Sequence, residues 1–298
     1  MISFINRADL DEDKYNNCIA NAVQSRIYAY SWYLDMVCDN WSVLVLNDYE
    51  VVMPIPHKKK LCINYISQPF FCQQLGIFTL REEEGITETF ISAIPKRFIK
   101  INLQLNSQNK VSKRFVQKNR TNYVLRLNAT YEDLFRAFSK GRKHAIKQAL
   151  RSELLISSFS IDELVLIARK YYHYKDFKSG NYDQFIKLTE VLIKKQKALL
   201  IGVRNEHRVL IGGAVFLIDN FRIIYLFSAV SPEGKQNQVA GFLLNTVIKK
   251  YANTDYILDF EGSEIRGIAS FYRSFNAKEE KYGVLVKKIN TQRKFSTY

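Results

Sequence analysis

The sequence predicts an α+β fold of two mixed-sheet modules, and three observations predict it. Residues 198–282 read as three strands joined by short turns, then a helix, a strand, a second helix and the start of a last strand. Residues 41–127 open on hairpin-like strands of their own. No Ser-, Gly- or Pro-rich linker separates the halves, and with 12 Gly and 5 Pro in 298 residues the two domains, 1–127 and 128–298, are expected to pack against each other.

Composition bounds the rest. An apolar content of 47% with 13% aromatic residues excludes a disordered chain and supplies a core. Cys18, Cys38, Cys62 and Cys72 all fall in the first quarter and none forms Cys-x-x-Cys, so neither a zinc knuckle nor a disulfide framework is expected. His57, His144, His173 and His207 are scattered, without metal-ligand spacing. The chain opens on no basic-then-apolar signal and contains no apolar run long enough to span a bilayer, so a cytoplasmic location is expected. Lys and Arg number 44 against 29 Asp and Glu, a net charge of +15. Such a charge attracts RNA, an anionic bilayer or a phosphate-bearing substrate, or it only keeps the protein soluble.

In chain order, apolar positions Ile19, Val23, Ile27, Tyr30, Leu34 and Val37 recur at three- and four-residue steps and predict a helix over 11–40. Trp41–Leu46 and Glu50–Met53 form a hairpin about Asn47-Asp48, which Pro54 and Pro56 should end because proline cannot donate into a ladder. Leu61–Ile66 continues the sheet. Glu83–Ala93 reads as helix, Lys100–Leu105 and Asn122–Leu127 as strands, and Asn106–Asn119 as a polar connection.

At the junction Thr130 caps a helix with Glu132 and Asp133 in its first turn. That helix is expected to continue through Phe138. Ser139–Arg151 follows, a basic helical segment containing Arg142, Lys143 and Lys147, docked by Ile146 and Leu150. The alternative for the segment is a solvated charged face. Asp162–His173 and Gln184–Gln196 are further helices. Between them Tyr171, Tyr172, His173, Tyr174 and Phe177 cluster, either lining a groove or packing helix to sheet. Strands then fall at Leu199–Arg204, Val209–Leu217 and Arg222–Val230, a helix at Val239–Tyr251, a strand at Tyr256–Phe260, a helix from near Gly267 and a strand at Gly283–Lys288.

Several stretches carry a family resemblance. Leu258-Asp259-Phe260-Glu261-Gly262-Ser263, with Ala269-Ser270-Phe271-Tyr272-Arg273-Ser274-Phe275-Asn276-Ala277 after it, resembles the last strand-helix unit of the GNAT N-acyltransferase superfamily and, more closely, of its Fem-type branch. The basic helix from Ser139 to Leu150 is similar to a basic helix of the same branch. Ser31-Trp32-Tyr33-Leu34, Pro54-Ile55-Pro56, Lys58-Lys59-Lys60 and Gln68-Pro69 through Leu75-Gly76-Ile77 resemble its front half. The resemblance implies two tandem GNAT-like domains packed together. It also implies transfer of an acyl or aminoacyl group to a primary amine, for instance on a cell-wall or lipid precursor, with aminoacyl-tRNA or acyl-CoA as donor and no metal.

Site residues follow from the same resemblance. In GNAT enzymes the loop after the third strand presents backbone amides to the coenzyme A pyrophosphate, as an uncapped helix N-terminus can. Here that loop is Gln236-Asn237-Gln238-Val239-Ala240-Gly241. Val239 stands where the first glycine belongs, and a β-branched residue should obstruct both positive φ and phosphate approach, so acetyl-CoA is expected to bind weakly. Phe227, Ser228 and Ala229, with Gln236, Gln238, Val239 and Gly241, are the donor-binding positions; Arg142, Lys143, Lys147 and Tyr174 are the substrate-binding ones. Tyr272 falls on the tyrosine that protonates a departing thiolate, with packing beside Phe271 and Phe275 as the alternative. Asn276 replaces a glycine and tolerates the left-handed backbone the turn needs. Asp259 and Glu261 alternate about Phe260, so both carboxylates should share one face and accept the proton of the amine, or pair with cations. A non-catalytic GNAT-fold module binding RNA or another anionic partner would share these features.

Overall fold

The computed structural model describes residues 1–81, 83–152, 154–172, 177–262 and 264–287. They fall into two compact units, 1–120 with the residues from 281 onward, and 121–280.

The first unit contains β1 (Ile2–Asn6), α1 (Glu12–Asn21), α2 (Ser31–Val37), β2 (Asn40–Leu46), β3 (Val51–Lys60), β4 (Ile63–Ser67), β5 (Phe78–Thr79), α3 (Ile86–Ala93) and β6 (Phe98–Gln104). Its strands run in the order β1-β2-β3-β4-β6, with β5 beside β3; β4 and β6 are parallel and the other pairs antiparallel. The single helix expected over 11–40 is broken. Val23 N donates to the Thr79 carbonyl, Thr79 N to the Gln24 side chain at 3.0 Å and Asn106 Nδ2 to the Gln24 carbonyl at 2.7 Å. Those long-range bonds hold 22–26 out of the helix, overriding a periodic pattern that extends through it.

Pro54 and Pro56 do not end β3 either. They pair in register with Val43 and Trp41 of β2, while β5 covers β3 only at Val51 and Val52 and β4 only from His57. Both prolines thus fall where the far edge of β3 has no neighbour to receive an N–H.

The second unit takes up the chain within β7 (Val116–Arg126) and adds α4 (Tyr131–Ala137), α5 (Lys140–Arg151), β8 (Leu155–Ser157), α6 (Ile161–Tyr171), α7 (Ser179–Lys194), β9 (Ala198–Arg204), β10 (Leu210–Asp219), β11 (Arg222–Val230), α8 (Pro232–Gln236), α9 (Val239–Tyr251), β12 (Ile257–Asp259) and α10 (Arg266–Arg273). Strand order is β7-β12-β11-β10-β9-β8. Only β11 and β12 are parallel in it. Ile146, Phe216, Leu243, Leu258, Phe260 and Phe275 are fully buried in its core. The last strand, β13 (Lys278–Lys287), pairs antiparallel with β6 from Ile101 to Gln104.

The helix that opens after Thr130 stops at Ala137, one residue short of the expected Phe138. Phe138 is extended, and Ser139 caps α5 afresh, its hydroxyl accepting from Arg142 N at 3.2 Å. The restart rotates the buried face onto Ile146 and Ala149, leaving Leu150 61% exposed; Leu150 does not dock the helix.

Candidate functional site

The site grows from one irregularity in the second sheet. β11 and β12 pair at only three positions, Arg222 with Ile257, Ile223 with Leu258 and Ile224 with Asp259. β12 then stops, and among the described residues β11 has no strand partner on that side through Tyr225–Val230. Against β10, Val215 lies opposite Phe227 and Phe216 opposite Tyr225, so Leu226 is the extra residue of a β-bulge, which bends and twists the strand where it loses its neighbour. Beyond the bulge Val230 turns its backbone toward the uncovered edge: its N–H donates to the Tyr172 hydroxyl at 3.1 Å and its carbonyl accepts from that hydroxyl at 3.2 Å. Ser228, two residues back, presents its amide to the same edge.

Where the strands still pair, a polar network closes the sheet. Arg222 Nη1 meets Asp259 Oδ2 at 2.5 Å and Arg222 Nη2 meets Glu280 Oε1 at 3.2 Å. Asn122 Nδ2 donates to Asp259 Oδ1 at 3.0 Å and to Glu280 Oε2 at 3.1 Å. Asp259 is 2% exposed and also accepts from Glu261 N at 2.8 Å. Burial works against the Arg222 charge, but the two carboxylates outweigh it and hold its pKa above the ordinary value. Glu261 and Gly262 both have φ of 57°, so the extended alternation expected from Asp259 to Glu261 breaks and the two carboxylates do not share a strand face. A methyl group on Gly262 would lie 2.3 Å from the Thr121 carbonyl oxygen, which restricts the turn to glycine.

Two buried phenols stand beside this network. Tyr272, on α10, packs against Phe260, Phe271 and Tyr123 with ring centroids 4.9, 5.8 and 6.1 Å away. Burial, and then the neighbouring Tyr225, Glu261 and Asp259, push its pKa well above the ordinary value. Among the described residues none hydrogen-bonds its hydroxyl. Burial pushes the Tyr225 phenol up to about 12, with the Ser228 hydroxyl lowering it and Tyr172 raising it.

The third component is the start of α9. Gln238 enters it with φ of 60° and no side-chain cap, and among the described residues nothing accepts from the N–H groups of Val239, Ala240 and Gly241. Val239 does not obstruct them. Its side chain is fully buried in the core beside Gly212, and the positive φ falls on Gln238 instead. What faces Gly241 is Arg142, whose Nη1 would lie 2.4 Å from a methyl group on that glycine. Arg142 Nε donates to Ser274 Oγ at 3.0 Å, and the guanidinium stacks 4.4 Å from the Phe271 centroid and 4.8 Å from that of Phe275. Burial lowers its pKa, and no carboxylate pairs with it among the described residues. Open amides and an unneutralised guanidinium together fit a phosphate-sized anion.

Among solved structures the chain is similar to that of FemX, with a TM-score of 0.64 and 11% identity over 94% of this chain and 96% of that one. It is also similar to a conserved protein of unknown function from Bacteroides thetaiotaomicron, with a TM-score of 0.61 and 10% identity over 96% and 100% of the two chains. A third likeness is to the C-terminal domain of a protein assigned as a lysylphosphatidylglycerol synthetase from Agrobacterium fabrum, with a TM-score of 0.54 and 10% identity over 95% and 92%. The chain shares the fold of FemX. No family model and no curated protein sequence matches the chain.

Within this fold, Asp259, Glu261 and Tyr272 come together, and Tyr225 joins them. Ser228 and fully buried Ala229 follow the bulge, while the Phe227 ring packs 4.5 Å from Phe185. Gln236 is exposed on α8. Lys143 Nζ donates to the Arg136 carbonyl at 3.0 Å, closing the end of α4, and Lys147 is exposed. Tyr174 and His173 lie outside the described residues. Sequence reading passed over Arg222, Tyr225 and Tyr172 as a contributor to the strand edge; an arginine opening an otherwise apolar strand was the one visible signal. Among the described residues no group of three or more His, Cys, Asp or Glu side chains can hold a metal ion, and no helix is long and apolar enough to cross a membrane.

Proposed function

We propose that this protein is an N-acyltransferase that moves an acyl or aminoacyl group onto a primary amine. The observation that carries the reading is the uncovered edge of β11, which presents the Ser228 amide beyond the point where β12 stops, together with Tyr272, buried near Asp259 and Glu261 and, among the described residues, without a hydrogen-bond partner. The amine attacks the acyl carbonyl, the Ser228 amide stabilises the charge that develops on its oxygen, and the Tyr272 hydroxyl gives its proton to the leaving group. Glu261, half-buried beside Tyr272, takes the proton of the amine. Asp259, already accepting from Arg222, Asn122 and the Glu261 amide, acts as a positioning residue.

Arg142 and the first amides of α9 hold a phosphate of the donor. Tyr172 occupies the Val230 groups with which a pantetheine arm would pair as an added strand, and this supports an aminoacyl-tRNA ester over acyl-CoA. The acceptor is an amine on a cell-wall or lipid precursor. The test is to offer purified protein each donor with a panel of such amines and to follow donor discharge and amide formation by mass spectrometry. Discharge of aminoacyl-tRNA with a new amide, lowered about a hundredfold by Tyr272→Phe, is expected. Consumption of acetyl-CoA alone would reverse the donor assignment. RNA binding without discharge of either donor would leave a non-catalytic binding module.

A further inference from the structure

The first unit carries a feature that acyl transfer does not use. At the β3–β4 hairpin tip Lys59, Lys60, Leu61, Cys62 and Ile63 are consecutively exposed, Leu61 at 87%. Leu61 and Cys62 have φ of 47° and 62°. Two successive left-handed residues make the tight hairpin turn that Asn-Gly forms without strain, and a leucine there is strained by its side chain. In the folded protein that side chain packs against nothing in return.

Cations surround it. The register sets Lys58 beside Tyr65 and Tyr65 beside Lys100, with Lys60 opposite Ile63 at the tip. A register shift between Asn64 and Tyr65 makes Ile99 the extra residue of β6 and leaves it exposed next to Lys100. Lys96 and Arg97, just before the same strand, are exposed. Lys58 pairs with Asp39 at 2.7 Å; among the described residues no carboxylate pairs with Lys59, Lys60, Lys96, Arg97 or Lys100.

We infer that this hairpin tip and the adjoining start of β6 dock on an anionic phospholipid bilayer, Leu61 entering the acyl boundary while the lysines meet headgroups. Charge complementarity alone would also admit RNA, but single-stranded RNA is held by aromatic faces on which bases stack. The exposed large hydrophobic side chains at the tip and on β6, Leu61, Ile63 and Ile99, are aliphatic, which suits the interfacial region of a bilayer.

The experiment is sedimentation of the full chain with vesicles of phosphatidylcholine alone and of phosphatidylcholine with phosphatidylglycerol, at two salt concentrations. Expected is partitioning onto the anionic vesicles only, weakened by salt. Leu61→Ser should weaken it about tenfold with the salt dependence kept, and Lys59→Gln or Lys60→Gln about fivefold each with the salt dependence reduced. An environment-sensitive dye on exposed Cys62 should shift to the blue on the anionic vesicles. Melting temperatures should be unchanged, since the tip supports no packing. Failure of the wild-type chain to partition, or indifference to Leu61→Ser, would overturn the inference. So would tighter capture of an oligoribonucleotide that depends on the lysines and not on Leu61.

Discussion

The two halves of β11 are one strand under two regimes. From Arg222 to Ile224 it is paired on both sides, and its one charged side chain is neutralised by Asp259 and Glu280. From Tyr225 to Val230 it has, among the described residues, a strand partner on one side only, a bulge at Leu226, and backbone groups met by a tyrosine hydroxyl. The first half spends its polar groups on fixing the sheet. The second keeps such groups oriented yet unpaired by other strands, which is the condition for meeting a ligand.

The largest way to break this contrast is to unlock the first half. Arg222→Met would leave two carboxylates without their cation, one of them buried, and should cost about 3–5 kcal/mol, read as a large fall in the denaturation midpoint. Adding Asp259→Asn should recover part of that loss, because it removes a stranded charge. An Arg222→Met variant as stable as the wild type would mean the network contributes nothing to the sheet.

The next test lies in the second half. Tyr272→Phe should lower transfer by about a hundredfold and leave the melting temperature nearly unchanged, because the ring keeps its packing and only a hydroxyl without a partner among the described residues is lost. A matching fall in stability would make Tyr272 a packing residue.

Alkaline titration sharpens the contrast further. The Tyr225 phenol titrates near 10.0 when exposed and about 12 in the fold, so the unfolded chain releases its proton first as pH rises. Its contribution is present in full below pH 10.0 and declines as pH climbs to about 12, a loss on the order of 2 kcal/mol. Tyr225→Phe should flatten that decline without removing the share due to Tyr272; an unchanged slope would place Tyr225 in a wetter environment.

Smallest is the effect of Tyr172→Phe, about 1 kcal/mol from the hydrogen bonds to Val230. It should also open that edge, so binding of acetyl-CoA, followed by calorimetry, should rise. No gain would mean that the hydroxyl does not decide between donors.

Much of the second unit was legible because its elements are local. Arg222–Val230 and Val239–Tyr251 match their sequence-predicted spans, and Thr130 caps α4 as its type and the acids after it require. The site was legible in its residue types and misread in its geometry. Val239 was read as an obstacle from side-chain shape alone, whereas the helix turns it into the core. The shared face of Asp259 and Glu261 assumed that the strand went on, and two left-handed residues end it. Arg142 was read as one of three exposed cations, yet it is half-buried over two phenylalanine rings, so its removal should disturb packing as well as charge.

By itself the sequence determined the α+β class, the order of most elements and the excess of basic residues, because periodicity, capping and turn chemistry act over a few residues. Only the tertiary structure decided where β11 loses its neighbour, that Tyr172 reaches Val230 across 58 positions, and that Arg142 faces the open amides of α9. Those outcomes depend on contacts between residues far apart in the chain, and no local pattern encodes which distant group will fill a given hydrogen bond.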